Sequence, residues 1–111
     1  MQATLTQEEA IAEITRRLID YFQPERIYLF GSVARGDNGP DSDLDFLVVV
    51  PDDFAEEKLR PAAVRKAVWG TGWAKDIVPW HRTDFDERAA WVNTSLPATV
   101  VQEGKLLYDT R

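Results

Sequence analysis

Residues 30–50 read Phe30-Gly31-Ser32-Val33-Ala34-Arg35-Gly36-Asp37-Asn38-Gly39-Pro40-Asp41-Ser42-Asp43-Leu44-Asp45-Phe46-Leu47-Val48-Val49-Val50. Arg26 to Phe30, leading into this stretch, is short, apolar and aromatic, which suits a strand. Gly31 to Ser42 carries three glycines and a proline, so it reads as a loop, with one helical turn at Ser32 to Arg35. Asp43 to Val50 then reads as a second strand, ended by Pro51. Side chains alternate along a strand, so Asp43 and Asp45 point to one side while Leu44 and Phe46 point to the other. Two carboxylates placed side by side repel each other. Beside an apolar run they are also partly desolvated, and the pair costs free energy unless a cation neutralises it. Oxygen ligands alone suit Mg²⁺, which takes one or two carboxylates and completes its octahedron with water and substrate phosphate.

Outward from this stretch the elements are short and clearly punctuated. Thr6 and Glu9 form a capping box, and Ala10, Ile11, Ile14, Leu18, Tyr21 and Phe22 recur at helical spacing until Pro24. Residues 53–69 look helical but contain Pro61, which predicts a break or a new start there, before Gly70 and Gly72 end the element. Lys75 to Trp80 reads as a third strand, and Thr83 is the expected cap of a helix running through Trp91. A further helix starts at Ser95-Leu96-Pro97 and stops at Gly104, and Lys105 to Tyr108 is a short last strand. Four short strands in 111 residues fit an α+β fold: a small mixed β-sheet with helices packed mainly on one side, in one domain spanning 1–111.

A third carboxylate, Asp76, heads the apolar strand Asp76-Ile77-Val78. If the second and third strands are neighbours, Asp76 joins Asp43 and Asp45. Three carboxylates can hold two metal ions about 3.5–4 Å apart, the arrangement that clamps both attacking and leaving oxygens of an in-line phosphoryl displacement. Gly31 and Ser32 add a strand end that offers backbone amides to phosphate with no Cβ in the way. The loop is neither a Walker A motif nor a dinucleotide-binding fingerprint, because no Gly-Lys-Ser/Thr follows and no G-x-G-x-x-G is present.

The charge, 13 basic minus 19 acidic residues or −6, argues against gripping nucleic acid by neutralising many phosphates. There is no cysteine, so disulfides, thiolate nucleophiles and cysteine-bound zinc are excluded. A lone histidine, His81, makes a Ser-His triad a poor fit. The chain starts without a signal-peptide pattern and has no apolar run of membrane-spanning length, so a cytoplasmic location is expected.

Gly31-Ser32, ten residues, then Asp43-x-Asp45, with a later Asp76, resembles the signature of the DNA polymerase β-like nucleotidyltransferase superfamily. GSVARG and SDLDFLVVV look most like its minimal nucleotidyltransferases, or MNT proteins, and the closing residues 101–108 are similar to their last turn and strand. The resemblance implies catalytic, metal-binding roles for Asp43, Asp45 and Asp76 around two Mg²⁺ ions, with Mn²⁺ able to substitute. Asp76 would hold the catalytic metal and help activate an acceptor hydroxyl. It also implies nucleotide binding at Gly31, Ser32, Arg35 and Ser42, with ATP as the expected substrate, AMP moved to a hydroxyl and pyrophosphate released. Such proteins are often paired with HEPN-domain proteins as antitoxins, which suggests a HEPN-type protein partner, while the charge of −6 makes nucleic acid a poor acceptor. The alternative is a weakly active or inactive nucleotide-binding scaffold that docks that partner, and a weaker one is a metal-dependent phosphohydrolase.

The remaining conspicuous residues have plainer readings. Asp37 and Asp41 suit Asx-type turns, and His81 suits a surface or loop position. Asp84 to Glu87 is the acidic first turn of a helix, while Lys58, Arg60, Arg65 and Lys66 form a solvated face. Trp69, Trp73, Trp80 and Trp91 are mostly expected in the core or in cleft walls, with stacking on a base or partner as their other use.

Overall fold

The computed structural model describes residues 5–37 and 42–110. Helix α1, Gln7–Phe22, starts at the expected capping box: the Glu9 amide donates to Thr6 Oγ1 at 3.1 Å and the Thr6 amide to Glu9 Oε1 at 2.8 Å. It ends on Gln23 at φ +48°, just before Pro24. Ala10, Ile14, Leu18 and Phe22 form its fully buried stripe.

Strand β1 is Arg26–Phe30, the short helix α2 is Gly31–Arg35, and β2 is Leu44–Val50. The segment that contains Pro61 divides as its chemistry requires. A 3₁₀ turn covers Glu56–Leu59, and Pro61, which lacks an amide hydrogen to lose, occupies the first turn of α3, Pro61–Ala67. Strand β3, Lys75–His81, precedes α4, Arg82–Trp91, and α5, Leu96–Glu103; β4, Lys105–Asp109, closes the described chain.

The sheet order is β3-β2-β1-β4. β1 runs antiparallel to both β2 and β4, whereas β2 and β3 are parallel, so the sheet is mixed and the α+β architecture is as expected. Helical cover is shared more evenly between the two faces than a single one-sided layer. Leu44, Phe46, Val48 and Val50 of β2 join the α1 stripe and Val64 of α3 in the main core. Leu47 and Val49 project from the other face and are equally buried, because Phe85 of α4 and Val100 of α5 close over them. A strand buried on both faces needs cover on both. Tyr28 stacks on Phe85 with ring centroids 5.7 Å apart, and Arg26 lies 5.3 Å over the same ring while donating to Asp86 at 2.7 Å.

The start of α4 departs from its sequence reading. Thr83 is not the cap; His81, the residue before α4, stands in that position without a side-chain cap bond. Instead Asp52, from the turn after β2, accepts from the Thr83 amide at 2.9 Å and from its hydroxyl. The cap comes from 31 residues upstream, a pairing that a local pattern cannot announce. Ser95 does cap α5, accepting from the Ala98 amide at 3.2 Å.

Candidate active site

The parallel register of β2 and β3 sets Asp45 opposite Asp76. Facing residues of adjacent strands share a face, so these two carboxylates emerge on the same side about one strand spacing apart, roughly 4.8 Å at the backbone. Asp43 lies just before β2, exposed, two positions from Asp45. The half-buried Asp45 is where their charges meet. Burial raises its pKa above the ordinary carboxylate value, the negative charges of Asp76 and Asp43 raise it further, and only the Arg35 guanidinium opposes them.

Gly31 closes the site from the β1 side. Phe30 pairs with Asp45 across the antiparallel ladder, so the chain leaves β1 directly against that carboxylate. Gly31 has φ +78°, and a Cβ built there would collide with Oδ2 of Asp45. Two independent reasons, backbone conformation and lack of space, therefore require glycine at this position. Ser32 follows in α2, half-buried, and its carbonyl accepts from the Asp37 amide at 3.1 Å. Arg35 is exposed, with Nε 3.3 Å from Asp37 Oδ2. Ser42 is half-buried at the approach to β2, and Asp41 lies outside the described residues.

Among the described residues, no three His, Cys, Asp or Glu side chains form a ready-made metal cage. Asp43, Asp45 and Asp76 make an open, electrostatically coupled group. It can receive a cation from solvent, with room left for oxygens from elsewhere.

A family model for the nucleotidyltransferase domain matches residues 10–106, from α1 through the first part of β4. The chain belongs to the nucleotidyltransferase domain family. Seven chains among solved structures also match, and one of them is from a crystal structure of a toxin-antitoxin with AMP-PNP. This nucleotidyltransferase domain superposes on it with a TM-score of 0.64 and 27% sequence identity, over 90% of its own length and 73% of the other chain. No match is found among curated proteins.

Between β3 and α3 the nucleotidyltransferase domain has a cleft of about 470 Å³ lined by Val64, Val68, Trp69, Trp73, Ile77 and Pro79, with Lys75 and Asp76 also in its lining. Ile77 packs with the main core, on the sheet face opposite the Asp45 and Asp76 side chains. Sequence reading did not single out this cleft. The signal available was Trp69-Gly70-Thr71-Gly72-Trp73, two large aromatic residues in a segment too rich in glycine to be core. Trp73 is half-buried, its Nε1 donating to the Leu5 carbonyl at 3.0 Å, and Trp80 packs on the second core cluster. Trp69, 72% exposed, stands in the cleft wall, so three of the four are in core or cleft walls as expected, and Trp91, 82% exposed, is not. His81 is the last residue of β3, half-buried, 3.5 Å from Glu56. A larger hollow of about 760 Å³ lies between α1 and residues 70–73, away from Asp45, and its Arg16 and Arg17 are already paired with Glu13. Among the described residues, no helix is long and apolar enough to cross a membrane.

Proposed function

We propose that this nucleotidyltransferase domain moves AMP from ATP to a hydroxyl on a partner protein, with Mg²⁺ as cofactor and pyrophosphate as the leaving group. The finding that carries the reading is the placement of Asp45 opposite Asp76, with Gly31 pressed against Asp45. The donor set fits Mg²⁺. It is all oxygen, it is open, and the charge gathered around Asp45 costs free energy that a divalent cation would remove. Asp43, Asp45 and Asp76 would hold two such ions, which when bound would neutralise the triphosphate and lower the barrier to attack at phosphorus.

The chain's own groups do the positioning. Gly31 lets the Asp45 carboxylate lie against the start of α2 and offers its backbone amide to phosphate, the Ser32 hydroxyl supplies a hydrogen bond, and Arg35 and Ser42 are the further contacts proposed for the triphosphate. Asp76, on the edge strand β3, would accept the acceptor's proton on a carboxylate oxygen. Likeness to a chain of a toxin-antitoxin with AMP-PNP supports both a nucleotide and a protein partner. The HEPN type of that partner and its role as the toxin rest on the resemblance to MNT proteins, and a cytoplasmic location rests on the lack of a signal-peptide pattern and of a membrane-length apolar run.

Calorimetric titration with AMP-PNP tests the reading without knowledge of the acceptor. Binding should require Mg²⁺ or Mn²⁺ and vanish in Asp45→Asn. Affinity that ignores both the metal and the substitution would overturn it.

A further inference from the structure

The cleft between β3 and α3 has no role in the reading so far. Val64 and Val68 of α3 form one wall, Ile77 and Pro79 of β3 the other, and Trp69 and Trp73 follow along the same lining. β3 is the edge strand, so the cleft lies at the border of the sheet. Lys75, Ile77 and Pro79 share one face of β3 and Asp76 takes the other. Asp76, the one acid among the described lining residues, therefore sends its carboxylate to the opposite side, beside Asp45.

The charges around this cleft differ from those of the rest of the chain. Arg65 is in its lining, Arg60 precedes the first turn of α3 and Lys66 follows Arg65, all three exposed. Among the described residues none of the three makes an ion pair, whereas every other described arginine lies against a carboxylate. Residues 58–66 hold four basic side chains and no acid, in a chain of net charge −6. We propose that this cleft docks a partner protein through an amphipathic helix, whose apolar stripe enters between α3 and β3 and whose flanks are acidic. Of the proposed function this takes only the existence of a protein partner.

Three observations select this occupant. A strand added to the β3 edge would depend on its backbone, and Pro79 has no amide hydrogen to give, whereas a helix engages a groove through side chains at i, i+3, i+4 and i+7. Arg60, Arg65 and Lys66 complement acidic flanks, and opposite charge at a rim fixes orientation and speeds encounter. A nucleic acid would also bring negative charge, but it has no aliphatic stripe to set against Val64, Val68, Ile77 and Pro79. Trp69, 72% exposed at the cleft, and Arg65 are of the residue types that anchor protein interfaces. The cleft lies on the sheet face away from the Asp45 and Asp76 carboxylates, so a docked helix leaves them open and nucleotide and partner are held at the same time.

The test titrates the full chain, by calorimetry, with two synthetic peptides of about 18 residues, long enough to hold a helix. Both carry leucine at the i, i+3, i+4 and i+7 spacing on an alanine background, with glutamate flanking the stripe in one and lysine in the other. The glutamate peptide should bind about tenfold more tightly at low salt, within what three exposed ion pairs supply, and added salt should shrink the difference. Arg60→Glu combined with Arg65→Glu should invert the preference. Trp69→Ala keeps the Trp69 carbonyl that Arg17 bonds and should weaken both peptides about tenfold, whereas Trp91→Ala, which removes an equally exposed ring elsewhere, should weaken neither. Affinity for AMP-PNP with Mg²⁺ should be the same in these variants and in the presence of peptide. No binding of the glutamate peptide, equal binding of the two, a preference that survives the charge reversal, or competition with AMP-PNP would overturn the assignment. So would tighter binding of an oligothymidylate, or a dimer of the unmodified chain in sedimentation that Trp69→Ala dissociates, which would make a second copy the occupant. Absence of AMP-PNP binding in the unmodified protein would instead strike the nucleotidyltransferase reading and leave the docking surface standing.

Discussion

Gly31 and Asp45 occupy one another's limits: the carboxylate of Asp45 stands where a side chain on residue 31 would begin. The contact joins the end of β1 to the second residue of β2, and it makes Gly31→Ala a sharper probe than a substitution of any acid. The added methyl meets both the unfavourable φ of +78° and the Asp45 oxygen. A left-handed backbone alone costs about 1–2 kcal/mol for a non-glycine residue. The variant should therefore melt lower and lose metal-dependent AMP-PNP binding, measured by thermal denaturation and calorimetry; normal binding would show that the close seating of Asp45 on residue 31 is not needed for nucleotide.

Asp45→Asn should raise the melting temperature in EDTA. The native pKa of Asp45 lies above its unfolded value, through burial first and then the charges of Asp76 and Asp43. The native state thus holds this proton more tightly than the unfolded state, and lowering the pH through the native pKa toward the unfolded value stabilises the fold. The variant has no proton to take up there. Melting curves of the two proteins should converge as the pH falls through that window, and a gap that widens instead would reveal structural bonds to the Asp45 carboxylate.

Asp52→Ala should loosen the start of α4. Here the sign reverses, since the Thr83 hydroxyl and amide hold the Asp52 pKa below its ordinary value. Its contribution is present above the unfolded pKa and fades as pH falls through the native one. The variant should melt below the parent at neutral pH and approach it in acid. Thr83→Ala should remove part of the same effect, and the two substitutions together should be less than additive in a double-mutant cycle.

Phe85→Ala addresses the second face of the sheet. Phe85 is fully buried over Leu47 and Val49, and truncation of such a ring costs about 3–5 kcal/mol. Domains of this size are stable by about 5–15 kcal/mol, so urea denaturation should show a large loss, and a loss below about 1 kcal/mol would mean that the α4–α5 layer contributes little.

Much of this was legible in the residues themselves. Thr6 and Glu9 announce α1, Pro61 divides the segment that contains it, and Ser95 with Gly104 brackets α5, because capping, proline sterics and helix ends act within a few positions. The alternation at Asp43-Leu44-Asp45-Phe46 marked Asp45 of β2, and Asp43 just before it, for the same reason. Where reading went astray, the deciding partner was distant. Thr83 looked like a cap until Asp52 was beside it, and one-sided helical cover looked sufficient until Leu47 and Val49 proved as deeply buried as Phe46 and Val48.

The sequence by itself determined the elements, their ends, and the residue types available for chemistry, since short-range sterics and hydrogen bonding act between chain neighbours. Only the tertiary structure decided that Asp76 faces Asp45, that Gly31 lies against that carboxylate, and that Trp69 stays in solvent beside a cleft. Strand order and register come from burying apolar faces of segments some 30 residues apart, and that free energy belongs to the packed pair rather than to either segment.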